Sequence, residues 1–339
     1  MRARIIILNW NGCTFLHACL ASIEAERTAE VEVVLVDNGS TDGSEAFVRE
    51  RYPWVRVLSL GTNRGFAGGN NAGAAGYAGD YLIFLNNDTV VQRGWLTALV
   101  SAAERSNAAI ATSRLVRSND PAILDSAGDG YLRCGGAYKI GQGQPAASAS
   151  LSREVFGACG AAFLIRTDLF QRLGGFDESF FVVYEDVDLS YRARLTGARV
   201  IYAADAVVHH AVSAALGRVS VTAVFHGQRN LEWTWIKNTP RSLLWRSLPS
   251  HVAYDAAAFL VYARQGHLLT WMRAKVAALA GLPRVFRERR AVQAQIAVDP
   301  AALWQLMDAD WVRIKRQEKQ AQFGQWSQEP SARSKRLDT

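Results

Sequence analysis

Short apolar runs alternate with amphipathic stretches through the first half of the chain. Residues 4–8, 31–36, 55–60, 81–85 and 108–112 are runs of strand length rich in Ile, Val, Leu and Ala. Between the first four lie residues 14–25, 42–51 and 67–78, each of helix length with apolar positions three and four apart. Strands that alternate with helices predict βαβ units and a mainly parallel sheet flanked by helices, a Rossmann-like α/β fold. Ligands of such sheets bind beyond the carboxyl ends of the strands. The residues at those ends are polar: Asn9 and Asn11, Asp37 and Asn38, 61–64, and 86–88.

The pattern then changes. Residues 114–154 are rich in Gly, Ser and Ala, which predicts a loop or hairpin insertion over a site. Residues 163–166 and 198–202 read as further strands, and 187–195 as a helix. From residue 219 onward the text is helical. Residues 243–263 are apolar and aromatic, but Arg246, His251 and Asp255 interrupt them, so no run reaches the roughly 18 apolar residues of a spanning helix. Trp, Leu and Arg intermixed over 245–290 suit interfacial amphipathic helices, with Leu243, Leu244 and Trp245, then Phe259, Leu260 and Trp271, as the face expected to enter a membrane. The expected division is a catalytic unit over 1–239, a basic helical extension over 240–325 and a disordered tail over 326–339.

Charge sharpens that division. Residues 1–239 carry 22 Lys/Arg against 23 Asp/Glu, whereas residues 240–339 carry 16 against 8. A near-neutral body with a cationic extension points to an anionic surface as partner. The four cysteines, Cys13, Cys19, Cys134 and Cys159, have no metal-ligand spacing and fit a reducing cytosol. The opening Arg2 to Leu8 is strand-like and does not read as a secretory leader.

Chemistry concentrates in a few segments. Glu185, Asp186 and Asp188 place three carboxylates within four positions at an expected helix start. Like charges so close suggest a cation, a proton-transfer role, or simply a helix N-terminus, with Asp186 as cap and Asp188 paired to Arg192 one turn on. Asp37 ends a strand where it could accept an N–H from a ligand base. In 62–73, Gly65, Gly68, Gly69 and Gly73 alternate with Asn70 and Asn71, a helix start costly in propensity but suited to close approach of a diphosphate. Asn86, Asn87 and Asp88 end the most hydrophobic strand, where Asp88 could ligate Mg²⁺ or Mn²⁺. His209 and His210 end another apolar run and offer a second ligand. The segment 141–146 fits a dinucleotide fingerprint but has no preceding strand and contains Pro145, so it reads as loop.

In their order, the segments IIILNWNG, VVLVDNGSTDGS, NRGFAGGNNAG, LIFLNNDTVV, GGFDESFFVVYEDVDLSYR, VVHHAVSAALG and FHGQRNLEWTWIKN resemble the inverting family 2 glycosyltransferases of GT-A fold, notably bacterial rhamnosyl- and galactofuranosyl-transferase-like members. The resemblance covers residues 4–239. It implies that Asn9 and Asp37 hold the nucleotide base and ribose, and that Gly65, Asn70, Asn71 and Asn87 line the nucleotide pocket. It implies Asp186 as the catalytic base, Asp88 and His210 as ligands of a divalent cation, and Arg229 near the diphosphate. Asn86 stands where many relatives have a first metal-binding Asp.

A single displacement at an anomeric carbon needs a base on the acceptor hydroxyl and neutralisation of the departing diphosphate. Asp186 would supply the first, with Glu185 and Asp188 raising its proton affinity by repulsion. The implied donor is a dTDP- or UDP-sugar and the acceptor a glycan or lipid-linked glycan. With a cytoplasmic site, the cationic extension would hold the enzyme on the inner face of a bacterial membrane. Nucleic acid is not an expected partner, and a homodimer is the other use of the extension. A sugar nucleotidyltransferase would want a basic loop after the first strand, and residues 9–14 contain no Lys or Arg. A non-catalytic surface-binding protein would leave the ordered motifs without purpose.

Overall fold

The computed structural model describes residues 1–211 and 220–326, with side chains to residue 320. Twelve strands are present among these residues: β1 (Ala3–Asn9), β2 (Val31–Asp37), β3 (Arg56–Ser59), β4 (Tyr81–Asn86), β5 (Thr89–Val91), β6 (Ile110–Arg117), β7 (Leu124–Ser126), β8 (Asp129–Tyr131), β9 (Ala137–Lys139), β10 (Arg153–Glu154), β11 (Ala162–Arg166) and β12 (Val200–His210). The helices are α1 (Cys13–Glu24), α2 (Ser44–Arg51), α3 (Gly65–Ala74), α4 (Trp95–Arg105), α5 (Thr167–Arg172), α6 (Glu185–Leu195), α7 (Val221–Asn238), α8 (Arg241–Arg264), α9 (Leu268–Ala280), α10 (Leu282–Gln293), α11 (Pro300–Gln305) and α12 (Trp311–Trp326).

The main sheet runs in the order β10-β12-β6-β11-β4-β1-β2-β3, with β5 added to β12 and β7 to β6. β1, β2, β3 and β4 are mutually parallel through their shared pairings, and β6 is parallel to β12. β11 runs antiparallel between β4 and β6, so all the long strands but β11 point the same way. The expected α/β fold with a mainly parallel sheet and a C-terminal helical extension is the one observed.

Alternation along each strand sorts side chains to two cores. Ile5, Ile7 and Leu35 pack with Leu16 and Leu20 of α1 and Trp95 and Leu99 of α4. Ile6, Val36 and Phe84 pack on the other face with Ala67 of α3, Phe170 of α5 and Leu189 of α6. The glycines of α3 serve this packing. A Cβ on Gly69 would lie 2.3 Å from Leu8, and one on Gly73 2.6 Å from Ile6, so the helix sits directly on the sheet.

Several elements differ from the sequence reading. The strand expected at 108–112 extends to Arg117, and the one expected at 198–202 runs to His210 with a bulge between Ala203 and Val207. The expected insertion at 114–154 does include a hairpin, β8–β9, but its residues are largely buried: Asp125, Ser126 and Tyr131 are almost fully enclosed. β5, three residues long, and α4, which follows Gly94 at φ +82°, are elements beyond those expected.

The extension packs on the catalytic layer through α7. Trp233 donates its indole N–H to the Ala278 carbonyl of α9 at 3.1 Å, and Trp235 stacks on His251 of α8 with ring centroids 3.7 Å apart. Leu243, expected at a membrane-facing surface, is instead buried with Tyr131, Phe156, Tyr191 and Trp304. Its helix begins at the seam with the catalytic layer, where apolar area is removed from water by the protein itself. Residues 212–217 of the His-His motif and residues 327–339 of the expected disordered tail lie outside the described residues.

Candidate active site

The carboxyl ends of β1, β2 and β4 meet at a knot of polar groups. Asn9 is fully buried, and its side-chain amide donates to Ser40 Oγ at 3.1 Å and lies 3.5 Å from Asp37 Oδ1. Its carbonyl oxygen accepts from Asn87 Nδ2 at 2.7 Å. Asp37 Oδ2 accepts the Ser40 N–H at 3.0 Å. A Cβ on Gly12 would strike both Asn87 and Asn9, so glycine is required for the loop to close over them. Asp42 does not cap its own helix in the usual position. Its two oxygens accept the N–H groups of Ser44 and Cys13, joining the starts of α2 and α1.

The Gly/Asn segment meets a different end from the one its composition suggests. Gly65 has φ +71°, and the N–H groups of Phe66 and Ala67 at the start of α3 both point at the Phe181 carbonyl, at 2.6 and 3.3 Å. This helix start is therefore occupied by a protein oxygen rather than left open toward an anion. Asn71 bonds Phe176 through both its amide and its oxygen and reaches Glu178 at 3.0 Å. Asn70 is buried and donates back to Phe66 within the helix. Asn38, one of the polar strand-end residues, links Asn63, Arg64 and Gly65. These groups tie α3 to the segment that leads into the carboxylates.

That segment is a strained turn. Phe181, Val183 and Tyr184 all have positive φ, at 65°, 68° and 78°. Such conformations are disfavoured for bulky and β-branched residues and persist only under outside restraint. Asn230 of α7 provides it: its amide lies 3.0, 3.0 and 2.6 Å from the carbonyls of Phe180, Val182 and Val183. Arg229 adds bonds to the Ser179 and Phe180 carbonyls and lies over the Trp233 ring. Burial, with Arg284 nearby, lowers its pKa to about 10. Arg229 is thus engaged by the turn through these bonds.

The turn delivers three carboxylates to different surroundings. Asp186 accepts the N–H groups of Gly160 and Val187, both at 2.8 Å, and has no cation in hydrogen-bonding range among the described residues. Burial raises its pKa, and those two N–H bonds only partly offset this. Burial, rather than the expected repulsion from Asp188, leads this shift, and Asp188 has cations of its own. It is fully buried against Arg192 at 2.8 Å, Lys237 at 2.9 Å and Asn238 at 2.9 Å. Against burial, Arg192 and Lys237 hold its pKa down. Glu185 is buried with Oε2 lacking a partner, and burial and the Asp186 charge push its pKa well up. Asp129 on β8 shares this character, with an unpartnered Oδ1.

Across from them, β12 resolves its two histidines by alternation. Val208 and His210 face inward, while His209 points outward to Gln92 at 2.9 Å. His210 Nδ1 lies 2.9 Å from Asp125 Oδ2, which also holds Lys139 Nζ at 2.8 Å. His210 Nε2 lies 3.4 Å from Asp88 Oδ1. Burial lowers the His210 pKa, but the hydrogen bonds to Asp125 and Asp88 outweigh it and the net shift is upward. Asp125 and Lys139 were missed in sequence because they lie in the Gly-rich stretch, 85 and 71 residues from His210. Asp125 sits in the middle of the three-residue β7 and Lys139 closes β9, positions that carry no local signal.

A sheet of this order, with polar strand ends gathered against an acidic helix start, is that of a nucleotide-sugar transferase. The model of Glycosyl transferase family 2 matches residues 4–174, and the chain belongs to that family. It is 31% identical to the N-acetylglucosaminyl-diphospho-decaprenol L-rhamnosyltransferase of Mycobacterium tuberculosis, over 63% of this chain and 77% of that protein. Among solved structures it resembles GalNAc-T7 with UDP, GalNAc and Mn²⁺, at TM-score 0.59 and 17% identity, covering 75% of this chain and 51% of that one. It also resembles S. aureus TarS 1–349 in complex with UDP-GlcNAc, at TM-score 0.57 and 16% identity, covering 87% and 88%. The protein is a glycosyltransferase that uses a nucleotide-sugar donor.

Proposed function

We propose that the enzyme transfers rhamnose or a similar sugar, with inversion, from a dTDP- or UDP-sugar to a lipid-linked glycan of the cell envelope. Asp186 carries this reading: it is a carboxylate held in place by two backbone N–H groups, without a neutralising cation and with raised proton affinity. Such a group can take the proton from an acceptor hydroxyl as the hydroxyl oxygen bonds to the anomeric carbon and the nucleoside diphosphate departs. Asp37 and Asn9 would receive the base and ribose, with Asn87 fixing the Asn9 amide. Gly65, Asn70 and Asn71 would shape the pocket wall. Arg229 would act through the turn it holds. The similarity to a rhamnosyltransferase acting on a diphospho-decaprenol acceptor supports the sugar and the acceptor class.

The donor set suits Mg²⁺ or Mn²⁺. Among the described residues no group of three or more His, Cys, Asp or Glu is placed to hold a metal. Asp88 Oδ1 and His210 Nε2, 3.4 Å apart, have about the spacing of neighbouring donors on an octahedral ion, and Mg²⁺ ordinarily draws its remaining ligands from water and phosphate. Asp125 on Nδ1 orients His210 for this. A cation held by Asp88 and His210 would neutralise charge on the leaving diphosphate. Because these carboxylates also favour His210 protonation, metal affinity should fall as pH is lowered.

No helix among the described residues is long and apolar enough to cross a membrane. The basic extension would then hold the enzyme peripherally at the cytoplasmic face. Thermal stabilisation by dTDP-, UDP- and GDP-sugars, with and without Mn²⁺, tests the donor and metal together. The expected result is stabilisation by a dTDP- or UDP-sugar that deepens with Mn²⁺ and is lost in Asp88→Ala. Stabilisation only by a GDP-sugar, or full turnover in excess chelator, would overturn the respective part.

A further inference from the structure

Helix α9 has two apolar faces. Ala274 and Ala278 are buried, and Ala278 lies against Trp233 of α7. Leu269, Met272, Val276 and Leu279 recur three, four and three positions apart, and so form one stripe along the helix. They are between 49% and 72% exposed. The last turns of α8 continue this surface. Phe259 packs edge-on against Trp271 of α9 with ring centroids 5.4 Å apart, and Leu260 and Val261 beside it are exposed. Phe259, Leu260, Val252 and Trp271 line a shallow groove between the two helices, and Phe286 of α10 is also exposed. Exposed apolar side chains gathered on adjoining helices in this way mark an interaction site.

The charges near this surface select its partner. Arg264 at the end of α8, Arg273 on α9, and Arg287 and Arg290 on α10 are exposed, and none makes an ion pair among the described residues. The acidic groups nearby are already matched: Asp255 and Glu232 both hold Lys275, and Glu288 holds Arg284. The available field is therefore cationic. A second copy docked about a two-fold axis would bring the same arginines together. An anionic bilayer instead offers acyl chains to the stripe and phosphates to the arginines.

We propose that the outer face of α8, α9 and α10 lies in the headgroup–acyl boundary of an anionic bilayer, with Leu269, Met272, Val276 and Leu279 as its buried stripe. This rests on the reading of a membrane-bound acceptor and assigns the surface that meets the membrane. It moves that surface away from the start of α8, where Leu243 is already buried. The substituted side chains are exposed, so their replacement leaves the fold intact.

The full-length protein is sedimented with vesicles of phosphatidylcholine alone and of phosphatidylcholine with phosphatidylglycerol, at low and high salt. We expect binding only to the anionic vesicles, weakened by salt. The double variant Val276→Glu with Leu279→Glu should lose affinity by more than roughly 10-fold, with an unchanged melting curve. Arg264→Glu with Arg273→Glu should lose mainly the salt-sensitive part. Equal binding by wild type and the Val276/Leu279 variant, or no binding to anionic vesicles, overturns the proposal. So does a wild-type dimer that this variant converts to monomer, since a second copy then covers the face. Transfer to a water-soluble acceptor is measured in parallel. Its absence in wild type alongside normal vesicle binding counts against the proposed reaction and leaves the surface standing.

Discussion

Two groups of carboxylates sit on either side of the first turn of α6, and they differ in the company they keep. Asp188, Asp177 and Glu288 surround Lys237, with Arg192 and Arg284 alongside. Glu185, Asp186 and Asp129 receive backbone N–H groups or nothing, and the nearest ammonium, Lys139, is held by Asp125. In the first group, which joins α6, α7 and α10, cations hold Asp177 and Asp188 down against burial; in the second, burial without a paired cation raises Glu185, Asp186 and Asp129. Adjacent residues of one motif thus differ in proton affinity according to where the protein places its cations.

The largest expected effect tests that division at Asp186. Asp186→Asn should lower turnover by roughly 10³-fold or more, with donor affinity and the melting curve close to wild type. Single-turnover rates beside calorimetry decide it; near-normal turnover would place the base elsewhere. Next is the cation-rich side. Asp188→Ala leaves Lys237 and Arg192 underpaired in a buried site and should cost about 3–5 kcal/mol of stability. Urea titration measures this, and the folded fraction should keep its transfer rate per molecule.

The smallest effect is a contrast in pH. The folded pKa of Asp188 lies below its unfolded value, so its contribution is present above the ordinary carboxylate range and is lost as pH falls through that range. Glu185 is the opposite case: its folded pKa is raised, so its ionisation at neutral pH opposes folding. Glu185→Gln should therefore raise the melting temperature at pH 7 by a few degrees, with the gain vanishing near pH 4. A gain that persists unchanged in acid would remove ionisation as its cause.

The sheet was legible because strand and helix periods are local signals. The end-of-strand positions of Asn9, Asp37 and Asp88 followed from it, as did the Asp188–Arg192 pair at helical spacing. The use of Asn71, Arg229 and the α3 N-terminus was not legible. Each is decided by a contact with residues 176–183, about fifty to more than a hundred positions away, and composition does not register such a contact. The choice of His210 over His209 could have been made, since counting by two from the buried Val208 selects it. Leu243 misled because an apolar side chain reads the same whether protein or lipid covers it.

The three left-handed residues before α6 set the order in which the active site can be assembled. Each costs about 1–3 kcal/mol, and the amide that restrains them, Asn230, is supplied by α7, some fifty residues later in the chain. On a growing polypeptide the sheet and its polar strand ends can form first, while Asp186 has no fixed position until α7 docks. If Asp186 is the base proposed above, catalytic competence follows that docking, and a lesion confined to α7 would leave a well-folded sheet without transfer.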